Sequence, residues 1–454
     1  MPGRRRASAP EARESIQRAK RVRSNGFSNR GPIFLTETDS ASNWPANRPP
    51  LLDDLDNLDG RREDWRARFA AADAEAGIET TAEFEPFTQR NDMFTRAFWD
   101  ADVQSEGARA FFESYRAEAI PRRGEGFSQK DFALRNAAWS VSDIFSNRGN
   151  DVGLREGFQA AIVSETPVAP EKIEIDDIAA LTREIKRIAV LFGADLVGIT
   201  EIDERWHYAA RVDTRDMSDA PLELPEGLTH VIVLGHAMDP ELVRTYPSAL
   251  AGAATGMEYS NEAAATVKLA TYIRNLGFEA IASMNDTALV IPYAVKAGLG
   301  EYGRNQMVIT PEYGPRVRFA KIFTALPLIS DRPRSVGVKA YCDICTRCAD
   351  ACPPKALPFG PPDDTVHNRS SIRGVKKWTA DCEKCFGYWA RIRTDCAICM
   401  RVCPFTVTSN AWSRRLWRRL ALGRFRKLAL WWDRKFNKAE RLKPREWWAR
   451  ISGG

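Results

Sequence analysis

The sequence predicts an α/β protein in which a layered domain of helices and buried strands is followed by a smaller cysteine-rich domain. Two observations lead to this order. Helical and strand-like runs alternate over roughly 166–335, and all nine cysteines lie between Cys342 and Cys403. With 454 residues, of which 44% are hydrophobic, the chain is long enough to form two or three domains with substantial cores.

The predicted α/β domain combines two helices with four strands. Its first helix has an apolar residue at every third or fourth position: Ile178, Leu181, Ile185, Ile188 and Phe192. Asp176 or Asp177 can cap the first turn of this helix. A second helix, which Gly277 ends, is predicted from the spacing of Leu269, Tyr272, Ile273 and Leu276. Continuous apolar runs predict buried strands at 195–200, 230–235, 278–284 and 318–328.

Three further segments flank these two domains. Residues 1–60 are predicted to form a mobile N-terminal lead, because they are basic at first and then rich in Pro and Asn. Residues 61–165 have an aromatic-rich helical pattern, which predicts a helical N-terminal layer packed on the α/β domain at 166–335. The cysteine-rich domain is placed at 336–410, and a basic, tryptophan-rich, amphipathic tail at 411–454.

The positive charge of the chain is concentrated at its two ends. Residues 411–450 hold fourteen Lys or Arg against three acidic residues, and residues 1–30 hold nine against two. Although the net charge is +6, the rest of the chain is therefore acidic, and nucleic acid is an unexpected partner. No run of eighteen apolar residues predicts a transmembrane helix, and no apolar run of a secretory or twin-arginine signal follows Arg4, Arg5 and Arg6. We therefore expect a cytoplasmic protein.

Eight of the cysteines form two sets with the spacing of bacterial two-cluster ferredoxins. The first set, which Pro353 follows, is Cys342, Cys345, Cys348 and Cys352. The second set, which Pro404 follows, is Cys385, Cys396, Cys399 and Cys403. In such ferredoxins the cysteine before the proline binds the other cluster. This crossover predicts one [4Fe–4S] cluster on Cys342, Cys345, Cys348 and Cys403, and a second on Cys352, Cys385, Cys396 and Cys399.

Two alternatives stay open for the cysteines. A pair of zinc sites uses two CxxC pairs and does not need a triple spacing that ends in Cys-Pro, so zinc is the weaker interpretation. Cys382 is left over; it can replace Cys385 as a ligand, although we expect a spare thiol. Two adjacent clusters conduct electrons and therefore need a donor and an acceptor, yet no G-x-G-x-x-G or Walker loop indicates a nucleotide.

The residues just before the first cysteine set resemble a known family. Residues 297–328, AGLGEYGRNQMVITPEYGPRVRFAKIFTALPL, followed by the cysteine sets, closely resemble the catalytic core of corrinoid-dependent reductive dehalogenases. The likeness extends to TREIKRIAVLFGADLVGITEIDERWHY at 182–208 and, in the helical layer, to NDMFTRAFWD and FALRNAAWSVSD. It covers roughly residues 85–405.

The resemblance implies a fold, two kinds of cofactor and a reaction. The fold is a nitroreductase-like α/β domain that holds a base-off, cobalamin-type corrinoid, followed by a two-cluster ferredoxin-like domain. Members of the family use no histidine below the cobalt, which is compatible with a chain of only four histidines. An external low-potential donor, such as a ferredoxin, a flavodoxin or a reductase, supplies electrons through the clusters to the cobalt. The reaction replaces the carbon–halogen bond of a small organohalide by carbon–hydrogen.

The resemblance also implies three catalytic residues. Tyr259 in GMEYSNEAA matches the proton-donating tyrosine of the family, and Arg304 in GLGEYGRNQ matches the basic residue paired with it. Asn285 in SMNDTA matches a nearby polar position. The reaction consumes a proton, and a tyrosine with an ordinary pKa of about 10 holds its proton at neutral pH. A nearby guanidinium lowers that pKa and stabilises the phenolate that remains after donation.

Two other functions are compatible with the same motifs. Glu258, directly before Tyr259, resembles the acidic proton donor of epoxyqueuosine reductases, which share the corrinoid core and twin clusters and act on a modified base in tRNA. The long helical layer and the segment 182–208 favour the dehalogenase. A non-catalytic iron–sulfur or corrinoid electron carrier is the third interpretation.

The basic tail predicts a contact outside the catalytic domains. Trp412, Leu416 and Leu420 have i, i+4, i+8 spacing, and four arginines lie between them: Arg414, Arg415, Arg418 and Arg419. A basic helix with Trp and Leu on its other side can lie on an anionic membrane, so a peripheral membrane or membrane-anchor contact is predicted. The same pattern is compatible with a cationic helix laid over the acidic body of the protein, or with an RNA-contacting arm.

Overall fold

The structure of the protein, a computed structural model, describes residues 58–115, 124–150, 153–154, 161–162, 166–407 and 411–452. These residues belong to one compact unit, Pro49–Gly454. The predicted N-terminal lead therefore lies outside the described residues, except for its last three. The division of the remaining chain into a helical layer, an α/β domain, a cluster domain and a tail stays a prediction.

Helices occur before, between and after the strands. In chain order the helices are α1 (Leu58–Ala76), α2 (Met93–Trp99), α3 (Glu106–Glu113), α4 (Gln129–Asn150), α5 (Ile178–Leu191), α6 (Pro240–Arg244), α7 (Ala249–Asn275), α8 (Val290–Lys296), α9 (Val338–Cys342), α10 (Arg347–Ala351), α11 (Cys382–Ile392), α12 (Ile398–Arg401), α13 (Trp412–Leu422), α14 (Arg426–Phe436) and α15 (Pro444–Ile451). The strands are β1 (Ala161–Ile162), β2 (Leu196–Glu201), β3 (Arg211–Val212), β4 (Asp219–Ala220), β5 (His230–Ala237), β6 (Ala280–Ser283), β7 (Glu301–Tyr302), β8 (Val308–Ile309) and β9 (Val317–Thr324).

The two predicted helices and four predicted strands are confirmed. Helix α5 begins after Asp177, whose carboxylate accepts hydrogen bonds from the backbone amides of Ala179 and Ala180. The four strands are β2, β5, β6 and β9. The second predicted helix is the C-terminal part of α7, which Gly277 follows with a φ of 90°. Only glycine adopts this left-handed conformation without steric cost, and a Cβ here would lie 2.4 Å from the carbonyl oxygen of Glu171.

The predicted strands belong to one five-stranded sheet with the order β1-β6-β9-β5-β2. Every neighbouring pair is antiparallel. Strand β9 is central and pairs with β5 along its whole length, from Thr324 opposite His230 to Val317 opposite Ala237. The mixed helix-and-sheet class is therefore confirmed. Although helices and strands alternate along the chain, the sheet is antiparallel.

Helices cover both faces of this sheet. On one face, Ile232 and Leu234 of β5 share a core with residues of α5 and α7. On the opposite face, Val231 and Val233 share a core with residues of α8. Successive side chains of a strand point to opposite faces, so β5 supplies both cores. Its sequence is therefore a continuous apolar run and does not alternate with polar residues.

A buried network of charges connects α1 to the sheet domain. Nη1 of Arg205 donates to Oδ2 of Asp73 in α1 over 2.7 Å, and Nη2 donates to Oδ2 of Asp203 over 2.6 Å. Lys296 of α8 forms ion pairs with the same two carboxylates. Each buried charge therefore has opposite charges beside it, which offset the cost of removing it from water. This network holds the C-terminal end of α1 next to the loops that follow the sheet strands.

Small residues let α7, a helix of 27 residues, lie close to its neighbours. A Cβ at Gly256 would lie 2.3 Å from Cδ1 of Trp139 in α4, and a Cβ at Gly252 would lie 2.5 Å from Oδ1 of Asp395. Ser260 also donates its hydroxyl to a backbone carbonyl of α4 over 2.6 Å. The close approach of α4 to α7 therefore depends on glycine, and it brings an indole ring against the middle of α7.

The basic tail packs on the cysteine-rich segment. Trp417 of α13 is fully buried, and its ring centroid lies 5.8 Å from that of Tyr341 and 5.4 Å from that of Phe405. Asp433 of α14 is buried in an ion pair with Arg347. One side of these two helices thus packs on the body of the protein through aromatic rings and one ion pair. Among the described residues, no helix is both long enough and apolar enough to span a bilayer.

Candidate active site and cluster sites

A cavity of about 590 Å³ lies between the end of α1, the loops around α8 and the segment that leads into α11. Much of its wall is apolar, with contributions from Trp206, Ala288, Leu289, Ile291, Val295 and Ile372. None of the described residues that line it is a histidine. Its volume is typical of cofactor and small-molecule sites. The geometry therefore offers one large binding cavity at the edge of the sheet domain.

Asn285 connects this cavity to Tyr259. The Asn285 side chain lines the cavity, and its Nδ2 donates a hydrogen bond to Oη of Tyr259 over 2.7 Å. Tyr208, which also lines the cavity, donates its hydroxyl to the backbone carbonyl oxygen of Asn285 over 2.7 Å. Helix α7 supplies the tyrosine, and the loop between β6 and α8 supplies the asparagine. The structure thus brings together two of the three predicted catalytic residues.

The surroundings of Tyr259 favour a buried phenol whose anion can be stabilised. The indole of Trp139 stacks on its ring, with centroids 4.8 Å apart and planes inclined by 24°. The guanidinium carbon of Arg318 in β9 lies 5.8 Å from the ring centroid. Burial raises the pKa of Tyr259 above its ordinary value, whereas the charge of Arg318 and the hydrogen bond from Asn285 lower it. The site therefore places two phenolate-stabilising groups around one tyrosine.

Two further acids of α7 lie near the tyrosine. Glu262 is fully buried, burial raises its pKa well above the ordinary value, and neither of its carboxyl oxygens has a hydrogen-bond partner among the described residues. Burial also raises the pKa of Glu258, which accepts a hydrogen bond from Asn261 over 3.1 Å. Consecutive helix residues point about 100° apart, so Glu258 and Tyr259 point in different directions. Neither Glu258, the acid of the epoxyqueuosine reductase alternative, nor Tyr259 lines the cavity, but Tyr259 is hydrogen-bonded to Asn285, which does.

Arg304 does not lie beside the tyrosine, and its predicted place there is corrected by the structure. Its buried guanidinium donates to five backbone carbonyl oxygens, among them those of Cys342 (from Nη2, 2.9 Å), Cys345 (from Nε, 3.0 Å) and Gly360 (from Nη1, 2.7 Å). Two of its three nitrogens therefore hold the first cysteine loop, and Nη1 holds the segment that follows it. Arg318 is the arginine that the structure places at the tyrosine.

Sequence reasoning does not single out Arg318, Trp139 or Tyr208. A signal exists for Arg318, because the two charged residues of the run RFAKIF, Arg318 and Lys321, are costly to bury without a partner or a function. An aromatic residue in a helix, such as Trp139, is usually a core residue and provides no comparable signal.

The four cysteines predicted for the first cluster surround one small space. This space, of about 20 Å³, is lined by Cys342, Cys345, Cys348 and Cys403, together with other residues of the loop. Cys342 ends α9, Cys345 lies in the segment between α9 and α10, Cys348 lies in α10, and Cys403 follows α12. The crossover that the spacing predicts therefore brings these four residues together in space.

The four cysteines predicted for the second cluster also lie close together. Cys352 belongs to a small core against which Cys385 and Cys399 pack. Burial, and then the neighbouring cysteines, raises the pKa of Cys385 and Cys399, and burial together with the charges of Asp395 and Cys352 raises that of Cys396 to about 12. Thiols crowded in this way bind metal with release of their protons.

Neither set of cysteines is arranged around a single ion. Within the part of the chain that the structure describes, no three His, Cys, Asp or Glu side chains are grouped so that they could hold one metal ion. The four thiolates of a [4Fe–4S] cluster bind different iron atoms, so they need not converge on one point as zinc ligands do. The arrangement is compatible with the predicted clusters.

Cys382 lies outside both sets. It is the first residue of α11 and lines the large cavity, and its Sγ contacts the backbone carbonyl oxygen of Ala380 at 3.7 Å. Burial raises its pKa, while the charge of Lys377 lowers it. Cys385 follows it by almost one helical turn, so the cavity wall adjoins the second cysteine set. This position agrees with a spare thiol.

Replacement of Cys403 by alanine should remove one cluster and keep the other, because Cys403 completes only the first set. Iron per chain should fall from about eight to about four atoms. The matched change Cys382→Ala should keep the full iron content. Iron and sulfide analysis after anaerobic reconstitution, together with electron paramagnetic resonance, measures both. The ligand sets are wrong if the two variants lose the same amount of iron, or if Cys403→Ala keeps both clusters.

Two family models match the chain. The model described as "Reductive dehalogenase subunit" matches residues 218–328, which include Tyr259, Asn285 and Arg318. The model described as "4Fe-4S dicluster domain" matches residues 341–407, which include all nine cysteines. The first match contains the tyrosine and two of the residues grouped around it, and the second contains both cysteine sets.

Known proteins match over longer stretches. The tetrachloroethene reductive dehalogenase of Sulfurospirillum multivorans is 36% identical over 348 residues, which cover 69% of this chain and 68% of that protein. Four other tetrachloroethene reductive dehalogenases also match, but this chain covers only about half of the length of each, 47–48%. An epoxyqueuosine reductase of Synechocystis sp. is 35% identical over 121 residues, which cover 25% of this chain and 38% of that protein.

A solved structure has the same fold over most of the chain. It is described as "Reductive dehalogenase structure suggests a mechanism for B12-dependent dehalogenation", and it matches with a TM-score of 0.63 and 22% identity over 82% of this chain and 49% of that chain. The solved structure supports the fold, and the 36% identity over two thirds of a named relative supports the family. This chain belongs to the reductive dehalogenase family.

Proposed function

We propose that the protein is a reductive dehalogenase, an oxidoreductase that uses two electrons and one proton to convert an organohalide into the hydrogen-substituted compound and a halide ion. One observation carries the proposal. Tyr259, held by Asn285 and beside Arg318, adjoins a cofactor-sized cavity whose wall leads into cysteine-bearing helix α11. Tyr259 is thus one hydrogen bond away from the cavity wall, and Cys382 of that wall begins the helix that carries Cys385 of the second cysteine set.

The cavity is proposed to hold a base-off, cobalamin-type corrinoid in a nitroreductase-like sheet domain. The residues that would contact it are the apolar run 288–292, the loop 300–306 and the segment 372–378. The described residues of the wall include no imidazole, so none of them would serve as a histidine ligand to the cobalt. When bound, the corrinoid would supply a cobalt centre that takes up the two electrons and delivers them to the carbon–halogen bond.

The two cysteine sets are proposed to hold two [4Fe–4S] clusters. The first would be bound by Cys342, Cys345, Cys348 and Cys403, and the second by Cys352, Cys385, Cys396 and Cys399. Cys348 and Cys352 share one small core, so the two sets are neighbours, as electron transfer between clusters requires. An external low-potential donor is proposed to reduce them: a ferredoxin, a flavodoxin or a reductase.

Tyr259 is proposed to give the proton that replaces the halogen. Burial raises its pKa, so the phenol is protonated at neutral pH. As the proton leaves, negative charge develops on Oη, and the hydrogen bond from Asn285 and the charge of Arg318 become more favourable. Trp139 fixes the plane of the ring by stacking on it. Arg318 cannot donate the proton itself, because a guanidinium stays charged.

The substrate is proposed to be a small organohalide, and tetrachloroethene, named in the titles of several relatives, is the first to test. The protein is proposed to act in the cytoplasm or in peripheral contact with a membrane.

An anaerobic halide-release assay tests the proposed function. With protein reconstituted with iron, sulfide and cobalamin and given a low-potential reductant, we expect halide and the hydrogen-substituted product in equal amounts from tetrachloroethene or from at least one aryl or alkyl halide. An epoxyqueuosine-tRNA assay run beside it should show no turnover. Failure to bind cobalamin, or reduction of epoxyqueuosine without halide release, would overturn the proposal. Bound cofactors without turnover of any halide would instead indicate an electron carrier.

A further inference from the structure

The outward side of α13 and α14 exposes large apolar side chains. The exposed fraction is 70% for Trp412, 58% for Phe425 and 54% for Trp431. Three more large apolar residues are exposed on the same two helices: Leu416, Leu428 and Phe436. Single exposed apolar residues are common on proteins, but six within 25 residues of chain indicate an interaction surface. We call the exposed side chains of residues 412–438 the outer surface.

The outer surface is also strongly basic. Residues 411–438 contain ten Lys or Arg and a single acidic residue. Seven of these cations are exposed: Arg415, Arg419, Arg424, Lys427, Arg434, Lys435 and Lys438. The single acid, Asp433, is fully buried in its ion pair with Arg347 and adds no negative charge to the surface. Apolar and cationic side chains therefore alternate on the outer surface with no exposed acid between them.

The other side of the two helices is already packed. Trp417 is buried against Tyr341 and Phe405, and its Nε1 donates to the backbone carbonyl oxygen of Ala429 over 2.9 Å, which ties α13 to α14. The apolar residues of the outer surface are therefore additional to those that hold the tail on the body. The surface is preformed, and binding does not require the helices to fold first.

We propose that the outer surface docks on an anionic lipid bilayer. Trp, Phe and Leu side chains of an interfacial helix enter the boundary between headgroups and acyl chains, and Lys and Arg beside them contact anionic headgroups. This inference deepens the proposed peripheral attachment and does not depend on the dehalogenase activity. Since the buried side packs on Tyr341, next to Cys342, docking places the first cysteine set on the membrane side of the protein.

Flotation with vesicles tests the proposal. The reconstituted full-length protein should float with vesicles of phosphatidylcholine and phosphatidylglycerol. It should not float with vesicles of pure phosphatidylcholine. The triple variant Trp412→Ser/Phe425→Ser/Trp431→Ser should bind the anionic vesicles about 100-fold more weakly, since each ring contributes roughly fivefold. Hydrogen exchange on the vesicles should slow in 412–438.

A matched variant distinguishes binding through the outer surface from nonspecific adsorption of exposed apolar residues to vesicles. Val190 and Leu191, at the end of α5, are also exposed, at 56% and 78%. The double variant Val190→Ser/Leu191→Ser should float as the wild type does. All variants should keep their iron content and their halide release with a soluble reductant. Equal flotation of the triple variant and the wild type, or wild-type binding that does not need anionic lipid, overturns the proposal. A change of oligomeric state in the triple variant would assign the surface to a second copy of the chain instead.

Discussion

Replacement of Tyr259 by phenylalanine should lower the turnover of organohalide by about 10²–10⁴-fold, the usual contribution of a positioned proton donor. The change removes only the hydroxyl that accepts the hydrogen bond from Asn285, and the ring can keep its stacking on Trp139. Iron content and cobalamin absorption should therefore stay at the wild-type level. The measurement is anaerobic halide release under saturating reductant, with the organic product identified in parallel.

A second tyrosine of α7 provides the control. The hydroxyl of Tyr272 donates to Glu184 over 2.7 Å, near the surface and away from Asn285. Tyr272→Phe should therefore release halide at the wild-type rate. If Tyr259→Phe retains a third or more of the wild-type turnover while its cofactors are intact, the proton comes from another group.

Replacement of Arg318 by glutamine should lower turnover by about 10–100-fold, because the phenolate of Tyr259 loses its nearest positive charge. The guanidinium lowers the pKa of Tyr259, so without it that pKa rises and the phenol becomes a weaker acid. The alkaline fall of the rate, where Tyr259 loses its proton, should consequently move to higher pH in the variant. Arg318→Lys restores the charge and should recover part of the rate. The pH profile of kcat measures both effects.

Arg304 provides the contrast, because it holds the first cysteine loop and lies away from the tyrosine. Arg304→Gln should reduce the occupancy of the first cluster, seen as lost iron and a changed paramagnetic resonance signal. The chains that keep both clusters should show the wild-type pH profile. An unchanged pH profile in Arg318→Gln together with a shifted one in Arg304→Gln would reverse the assignment of the two arginines.

The two arginines show where prediction from sequence ends. Arg304 lies in a glycine-rich loop that resembles the family motif, whereas Arg318 is one cation inside a strand. Pairing of β9 with β5 and β6 places Arg318 near α7, and no local pattern encodes which strand lies under which helix. The antiparallel order of the sheet is likewise set by contacts between segments far apart in the chain.

The sequence by itself determined the local features of this protein. Helix α5 and its cap at Asp177, the four apolar strands and the two cysteine sets follow from periodicity and spacing, which act over a few residues. The tertiary structure decided which groups meet. In the tertiary structure Asn285 and Arg318 lie beside Tyr259, and Arg304 lies at the cysteine loop. One side of the tail helices is exposed. These contacts depend on packing between segments far apart in the chain. Gly256 of α7 leaves room for Trp139, and burial of Trp417 against Tyr341 determines which side of α13 faces the body.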